Sequence, residues 1–472
     1  MPSRDADVLP LTGADCFLRA FEAEIGRTAG ASHLSQLVLR LGPGFDAGAF
    51  GELVGDIARA NPIMRSPIRR RAAFGAPVYR LDRAAPPTAV RIVEHRDDSA
   101  DRDAASRNER GATPADGDDA PLGPIPAAFS RRLNERFDAR RGSLVCFDVV
   151  PRGGAHPGTD VAMTWVHMLF DGSGSEAFVE HLAACSADPS HAREIAITRA
   201  DRGASSPAAA ELPAASGARG HMAQAWNVYM QGMKKHPPTS LAGPLRRVRQ
   251  NLRYRQLRLE DGEARVAIDR AKKTAGFLTP MLFFLAVAVR AHQAVADLRG
   301  KSPASWIVPL PVNMRPKGSH GEVFRTHVSL LWFQVTPEQT RDLATLIESL
   351  KAQRLDAIRT KLVEAGVAAM DFARYAPARA YSWMARRTFG GELASFFFAY
   401  TAEFAPAAQS LCGAPILDAF HVPGVPPSPG SAVVFSLRGG GLDVVHVHQD
   451  GVLSAREQHV FQDSVLRDLS GT

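Results

Sequence analysis

MTWVHMLFDGSGSEAFVEHL, residues 163–182, changes its period half-way along. Up to His167 it reads as an apolar strand. Alternation puts His167 and Trp165 on one face and Val166 and Met168 on the other. Asp171-Gly172 stops the strand. Ser173 and Glu176 then stand at the spacing of a capping box, so a helix is expected to start there. Strand, tight turn and helix leave one imidazole at a strand end, beside a carboxylate and a helix N-terminus. A histidine neutral near pH 7 is the most practical general base for a hydroxyl or amine. The carboxylate can lock the turn, and the glycine leaves room for a substrate. The helix N-terminus favours developing negative charge. The same spacing also suits a core histidine before a glycine-rich turn, and the stretch alone does not choose.

Outward from this stretch the chain alternates strands and helices. ADCFLRAFEAEI (14–25) reads as a helix and HLSQLVLRL (33–41) as a strand. DAGAFGELVGDIARANPIMR (46–65) is helical, capped by Asp46 and stopped at Asn61-Pro62. SLVCFDVVP and DVAMTWVHML read as two buried strands separated by a turn-rich stretch. Residues 97–121 hold almost no large apolar side chain and read as a loop. Residues 199–219 are low in complexity, so the expected division is a lobe over 1–198, a linker over 199–219 and a second lobe over 220–472. A polar, basic stretch follows the linker to about residue 256. Beyond it come the apolar helix TPMLFFLAVAVRAHQAVADL, the strand SWIVPLPVNMRPKG, the strand THVSLLWFQV and a long amphipathic helix from Arg341. AVVFSLRGGGLDVVHVHQDG reads as a hairpin, and a last helix follows with Ser454 as cap. The class is α/β of the α+β type, with two similar lobes.

Composition narrows the function. At 472 residues, 45% hydrophobic and 22% charged, the chain can bury a large core. The formal charge of +7 comes without a compact basic stripe interleaved with aromatics, so nucleic acid is not an expected partner. Basic runs such as PLRRVRQNLRYR (244–255) read as a solvated face, or as contacts for a CoA phosphate, a carrier protein or a membrane surface. The four cysteines, Cys16, Cys146, Cys185 and Cys412, are dispersed, which argues against a disulfide scaffold or zinc ribbon and fits a reducing compartment. No signal-peptide core opens the chain, and FLTPMLFFLAVAV (277–289) is too short to span a bilayer. The expected setting is cytoplasmic, at most peripheral to a membrane. HVHQDG (446–451) has the spacing of paired metal ligands, yet little chain follows to add others, so it reads as a strand with surface histidines. GSGSE (172–176) is not a serine-hydrolase elbow, because Glu176 stands where the last glycine belongs. No phosphate-binding glycine loop stands between a strand and a helix.

One further segment adds to HMLFDG (167–172): PVNMR (311–315) puts Asn313 and Arg315 at a strand break. Together the two segments resemble the chloramphenicol acetyltransferase-like superfamily. It includes wax ester synthase/diacylglycerol acyltransferases and the condensation domains of nonribosomal peptide synthetases. The resemblance extends, more thinly, to LPLTGADCFLRAF (9–21), ANPIMRSPI (60–68) and TPMLFFLAVAVRAH (279–292). Val166 stands where many members have a first histidine, and the condensation-domain DFGWG signature is missing. The resemblance implies two sandwich lobes with an active-site tunnel between them. It implies that His167 is the general base, that Asp171 pairs with Arg315 across the lobes, and that Gly172 keeps the channel open. Asn313 and Trp165 would belong to the substrate region. The implied reaction moves an acyl group from a CoA thioester to an alcohol, closest to the wax ester synthase type, with no cofactor and no metal. Two alternatives stand beside it: a condensation-type transfer from a carrier-protein thioester to an alcohol or amine, and a non-catalytic binding homologue. The implied partners are the acyl thioester, the acceptor, a carrier protein, and a membrane or lipid-droplet surface.

Overall fold

The computed structural model describes residues 8–70, 75–81, 90–95, 123–197, 212, 216–242, 251–315 and 322–471. The loop expected at 97–121 lies outside them, as do 199–211 and 213–215 of the expected linker. Residues 216–219 begin the helix Ser216–Met233.

His167 follows a strand that is central to a six-stranded sheet. In spatial order the strands are Ser410–Leu411, Ala414–Val422, Leu34–Leu41, Gly158–Val166, Val145–Arg152 and Arg91–Glu94. All neighbours are antiparallel except the last pair. Every residue of Leu34–Leu41 is buried, so its leucines and Val38 pack on both faces. Its Arg40 is satisfied inside the core by Asp160 of the neighbouring strand. Helices Gly13–Thr28, Ala47–Ala60 and Gly172–Ala187 share one apolar core with this sheet.

A second sheet has four strands, in the order Phe397–Thr401, Ser431–Arg438, Gly441–Gln449 and Leu252–Leu259. A separate antiparallel ribbon, Trp306–Asn313 with Val328–Val335, joins it through Ser395, whose N–H donates to Ile307 O at 2.8 Å. Helices Asp261–Ala275, Pro280–Leu298, Leu343–Arg359 and Ala455–Ser470 complete the second core.

The lobes interlock. Strand Ala414–Val422 leaves the second half of the chain and pairs with Leu34–Leu41, setting Phe420 opposite Val38. Asp418 on that strand accepts from Arg258 of the second sheet, and Arg258 also holds Asp443 at 2.9 Å.

Several expectations need correction. Helix Pro280–Leu298 has 19 residues and is long and apolar enough by length and composition to cross a membrane. It is instead packed in the second core, with Phe283, Phe284 and Val287 fully buried. Pro280 opens it; as the first helical residue it gives up an N–H that would have no partner anyway. His446 and His448 are not on the surface. Helix Ala455–Ser470 covers both, stacking Phe461 on His446 at 4.0 Å between ring centroids. The polar stretch after the expected linker contains a helix, Ser216–Met233, and an edge strand, Leu252–Leu259. Edge strands carry polar side chains because one side faces water, and that hides them from an apolar pattern.

Candidate active site

Backbone pairing fixes where the imidazole of His167 sits. Its N–H donates to His33 O at 3.0 Å, and Leu169 N–H donates back to Val166 O to close the turn. Phe170 stacks on Phe324 with centroids 5.4 Å apart, and Arg325 N–H donates to Leu169 O at 2.7 Å. The turn is therefore clamped by the segment that precedes strand Val328–Val335.

One contact assigns the tautomer of His167. Its Nδ1 lies 3.2 Å from Phe170 O, and a carbonyl can only accept. Nδ1 thus carries the proton, and Nε2 keeps a lone pair. Burial pushes the His167 pKa below the ordinary histidine value, and the nearby carbonyls and Asp171 only partly oppose this. His33 lies beside it with ring centroids 5.1 Å apart. Burial, and then repulsion from a charged His167, bring His33 down to about 3. Both imidazoles are neutral at pH 7.

Asp171 does not serve His167 directly. Its Oδ1 accepts from Gly174 N–H at 2.8 Å, and its Oδ2 accepts from Arg315 Nη1 at 2.9 Å and His327 N–H at 2.8 Å. Burial alone would raise its pKa, but the Arg315 guanidinium and its hydrogen bonds hold it below the usual carboxylate range. The helix cap is therefore Asp171, not the expected Ser173, and the helix runs Gly172–Ala187. Asp171 caps because its carboxylate already sits over the first turn. Glu176 points inward instead of closing a capping box.

Arg315 is oriented in turn. Its N–H and its Nη1 both donate to Asn313 Oδ1, at 3.0 and 3.3 Å, and its Nε donates to Glu322 O at 2.8 Å. Asn313 Nδ2 reaches Ser173 Oγ at 3.3 Å, so the exposed Asn313 bridges the turn of the other lobe. The opening stretch PLTGAD contributes one more tie. Thr12 and Asp15 form a capping box; Thr12 Oγ donates to Thr326 O at 3.0 Å and Asp15 Oδ1 accepts from Thr326 N–H at 2.9 Å. That fixes the residue next to His327, and through it Asp171.

The remaining expected site residues fall in two places. Trp165 is enclosed in the core, its indole N–H donating to the same Phe170 O at 2.9 Å. It braces the turn. Gly172 is exposed, and a Cβ there would meet only His421 Cε1, at 3.9 Å. Gly174 is the tight position: a Cβ would lie 2.3 Å from Val323 O.

Two histidines near the site, His33 and His421, escaped the sequence reading, and Glu176 was read there only as a cap residue. His421 Nε2 lies 2.9 Å from Ser175 Oγ, across 246 residues of chain. Burial brings His421 to about 3 and raises Glu176 to about 8. Their closest approach, 3.8 Å, is thus a contact of two neutral groups at pH 7, not an ion pair. The one signal available was positional: His33 precedes a strand and His421 closes one, as His167 does.

No family model matches this chain, and no curated relative does. Solved structures do. The first condensation domain of the calcium-dependent antibiotic synthetase is similar over 98% of this chain and 95% of its own, at 15% identity and TM-score 0.65. The chain has the chloramphenicol acetyltransferase-like condensation fold. The condensation domain of the monacolin K polyketide synthase MokA is similar over 98% and 97%, at 15% identity and TM-score 0.62. The trichothecene 15-O-acetyltransferase TRI3 of Fusarium sporotrichioides is similar over 98% and 95%, at 11% identity and TM-score 0.67. The likeness covers 98% of this chain in each of the three.

Proposed function

We propose that this chain is a condensation-type acyltransferase, with His167 as its general base and an acyl thioester as donor. The observation that carries the reading is the 3.2 Å approach of His167 Nδ1 to Phe170 O, which suits a proton on Nδ1 and supports Nε2 as the base. Nε2 takes the proton of an alcohol or amine while the oxygen or nitrogen attacks the thioester carbonyl. The tetrahedral intermediate then loses the thiolate, and His167 returns the proton to that sulfur. Atoms and charge balance without a metal, a redox partner or a covalent enzyme intermediate. A positioned base of this kind contributes roughly 10²–10⁴ in rate.

The choice of donor rests on the fold neighbours. Most of those described are condensation domains, and one is the starter condensation domain of rhizomide synthetase, solved with C8-CoA and Leu-SNAC. That favours the condensation reading over a wax ester synthase. TRI3, an O-acetyltransferase, supports keeping an alcohol among the acceptors. The net charge of +7 suits an anionic donor, whether CoA or a carrier protein.

A donor comparison tests this. Acyl-CoA, acyl-N-acetylcysteamine and acyl carrier protein are each offered with alcohol and amine acceptors, and products are weighed by mass spectrometry. An ester or amide made from at least one thioester supports the reading, and the preferred donor names the carrier. Tight binding of a thioester with no product from any pair would point to the non-catalytic alternative.

A further inference from the structure

The helix that begins at Gly172 ends in a second cluster of chemistry-bearing side chains. His181 and Cys185 stand one turn apart, and His191 comes back from the following loop. His181 Nε2 and Cys185 Sγ are 3.6 Å apart. The rings of His181 and His191 have centroids 5.5 Å apart. One nitrogen from each histidine and the cysteine sulfur all lie within 4.8 Å of one another. A tetrahedral d¹⁰ cation, with bonds of about 2.0–2.1 Å to nitrogen and about 2.3 Å to sulfur, holds its donors roughly 3.5 Å apart. One edge of the triangle already has that length.

The surroundings keep the three in place. Asp188 N–H closes the helix on Ala184 O, and His191 N–H donates to Asp188 O at 3.0 Å. Arg193 Nη1 donates to Cys185 O at 3.1 Å. Asn61 holds the exit of the loop at two points, donating to Arg193 O and accepting from Ile195 N–H, each at 2.8 Å. Cys185 is buried and His191 exposed, so three ligands come from protein and the outer side is open to water. Two imidazoles and a thiolate suit zinc better than a hard cation. The spacing, H-x₃-C-x₅-H, matches no common finger, which is why it does not stand out in the sequence.

We propose that His181, Cys185 and His191 bind one zinc-class divalent cation, with water in the fourth position. On binding, the Cys185 thiol gives its proton to solvent and both histidines stay neutral. The cluster lies about 14–20 Å along the helix from Gly172, so the metal takes no part in acyl transfer. It ties the loop to the far end of the helix that Asp171 caps.

Cobalt(II) is the probe. The full-length chain is stripped with a chelator, desalted and titrated with Co(II), then with Zn(II). The expected result is one equivalent of cobalt with a thiolate-to-cobalt charge-transfer band, displaced by zinc, with one proton released. Cys185→Ser removes the band while circular dichroism stays unchanged. His191→Ala alters an exposed side chain, so folding is spared. It should keep the band and weaken affinity by more than the roughly 10–100-fold that loss of an outer-shell partner costs. No band at stoichiometric cobalt, a band that survives Cys185→Ser, or an affinity unchanged in His191→Ala would each overturn the proposal.

Discussion

At His167 the proposed chemistry depends on which ring nitrogen holds the proton, and the Phe170 carbonyl, 3.2 Å from Nδ1, favours Nδ1. Asp171 decides something else: whether the turn that presents the ring stays closed. Its carboxylate and the Arg315 guanidinium are nearly out of water, at 3% and 7% side-chain exposure. Removing one partner leaves the other buried and uncompensated, which costs about 3–5 kcal/mol. Asp171→Ala is therefore expected to lower the unfolding free energy by that amount, read as a lower urea midpoint with little change in slope. A shift below about 1 kcal/mol, the range of surface pairs, would refute the buried tie. As candidates, His167, Asp171, Gly172, Asn313 and Arg315 were legible in sequence because short local patterns carry them, and the structure pairs Asp171 with Arg315. His33, His421 and Glu176 were not, because strand pairing and helix packing bring them in from far along the chain. Trp165 was legible as a strand residue, but alternation could not say that its indole would end against Phe170 O rather than beside a substrate.

Helix Gly172–Ala187 shows how an element answers to its neighbours. Its two early glycines differ in what surrounds them. Gly174→Ala would drive a methyl into Val323 O, so a loss of about 1–3 kcal/mol is expected. Gly172→Ala meets only ordinary contact with His421, so its thermal unfolding should match wild type. Equal melting temperatures for the two variants would contradict this packing. Strong apolar periods made most helices and strands readable, Pro280–Leu298 and Gly158–Val166 among them. The same criterion passed over Ser216–Met233. That helix buries little: Trp226 packs near Gly366, and the Tyr229 hydroxyl donates to Trp332 O at 2.6 Å. Its sequence therefore looks polar. The capping box assigned to Ser173 and Glu176 failed because Asp171, two residues earlier, already had an acceptor in position.

Across the whole molecule, the two lobes share a strand, an Asp–Arg pair and a set of buried neutral groups. That arrangement makes stability pH-dependent in a way single variants can isolate. His421 is held to about 3 in the folded chain and takes a proton near its ordinary value of 6.5 when unfolded. Below that value the unfolded state binds more protons, so His421 costs stability as pH falls. His421→Gln should gain on wild type between about pH 6.5 and pH 5. Glu176 has the opposite sign. It keeps its proton to about 8 when folded and loses it above 4.5 when unfolded. It costs stability as pH rises through that window, so Glu176→Gln should gain on wild type toward pH 8. Parallel urea midpoints against pH for either variant and wild type would refute the burial assigned to that group.

The central claim is that His167 Nε2 removes the acceptor proton during thioester acyl transfer. The most direct test is thiol release from the best acyl thioester, with and without acceptor, in wild type and a folded His167→Ala variant. The account predicts acceptor-dependent release that falls by ~10²–10⁴-fold in the variant. Acceptor-dependent release at an unchanged rate in His167→Ala would contradict it.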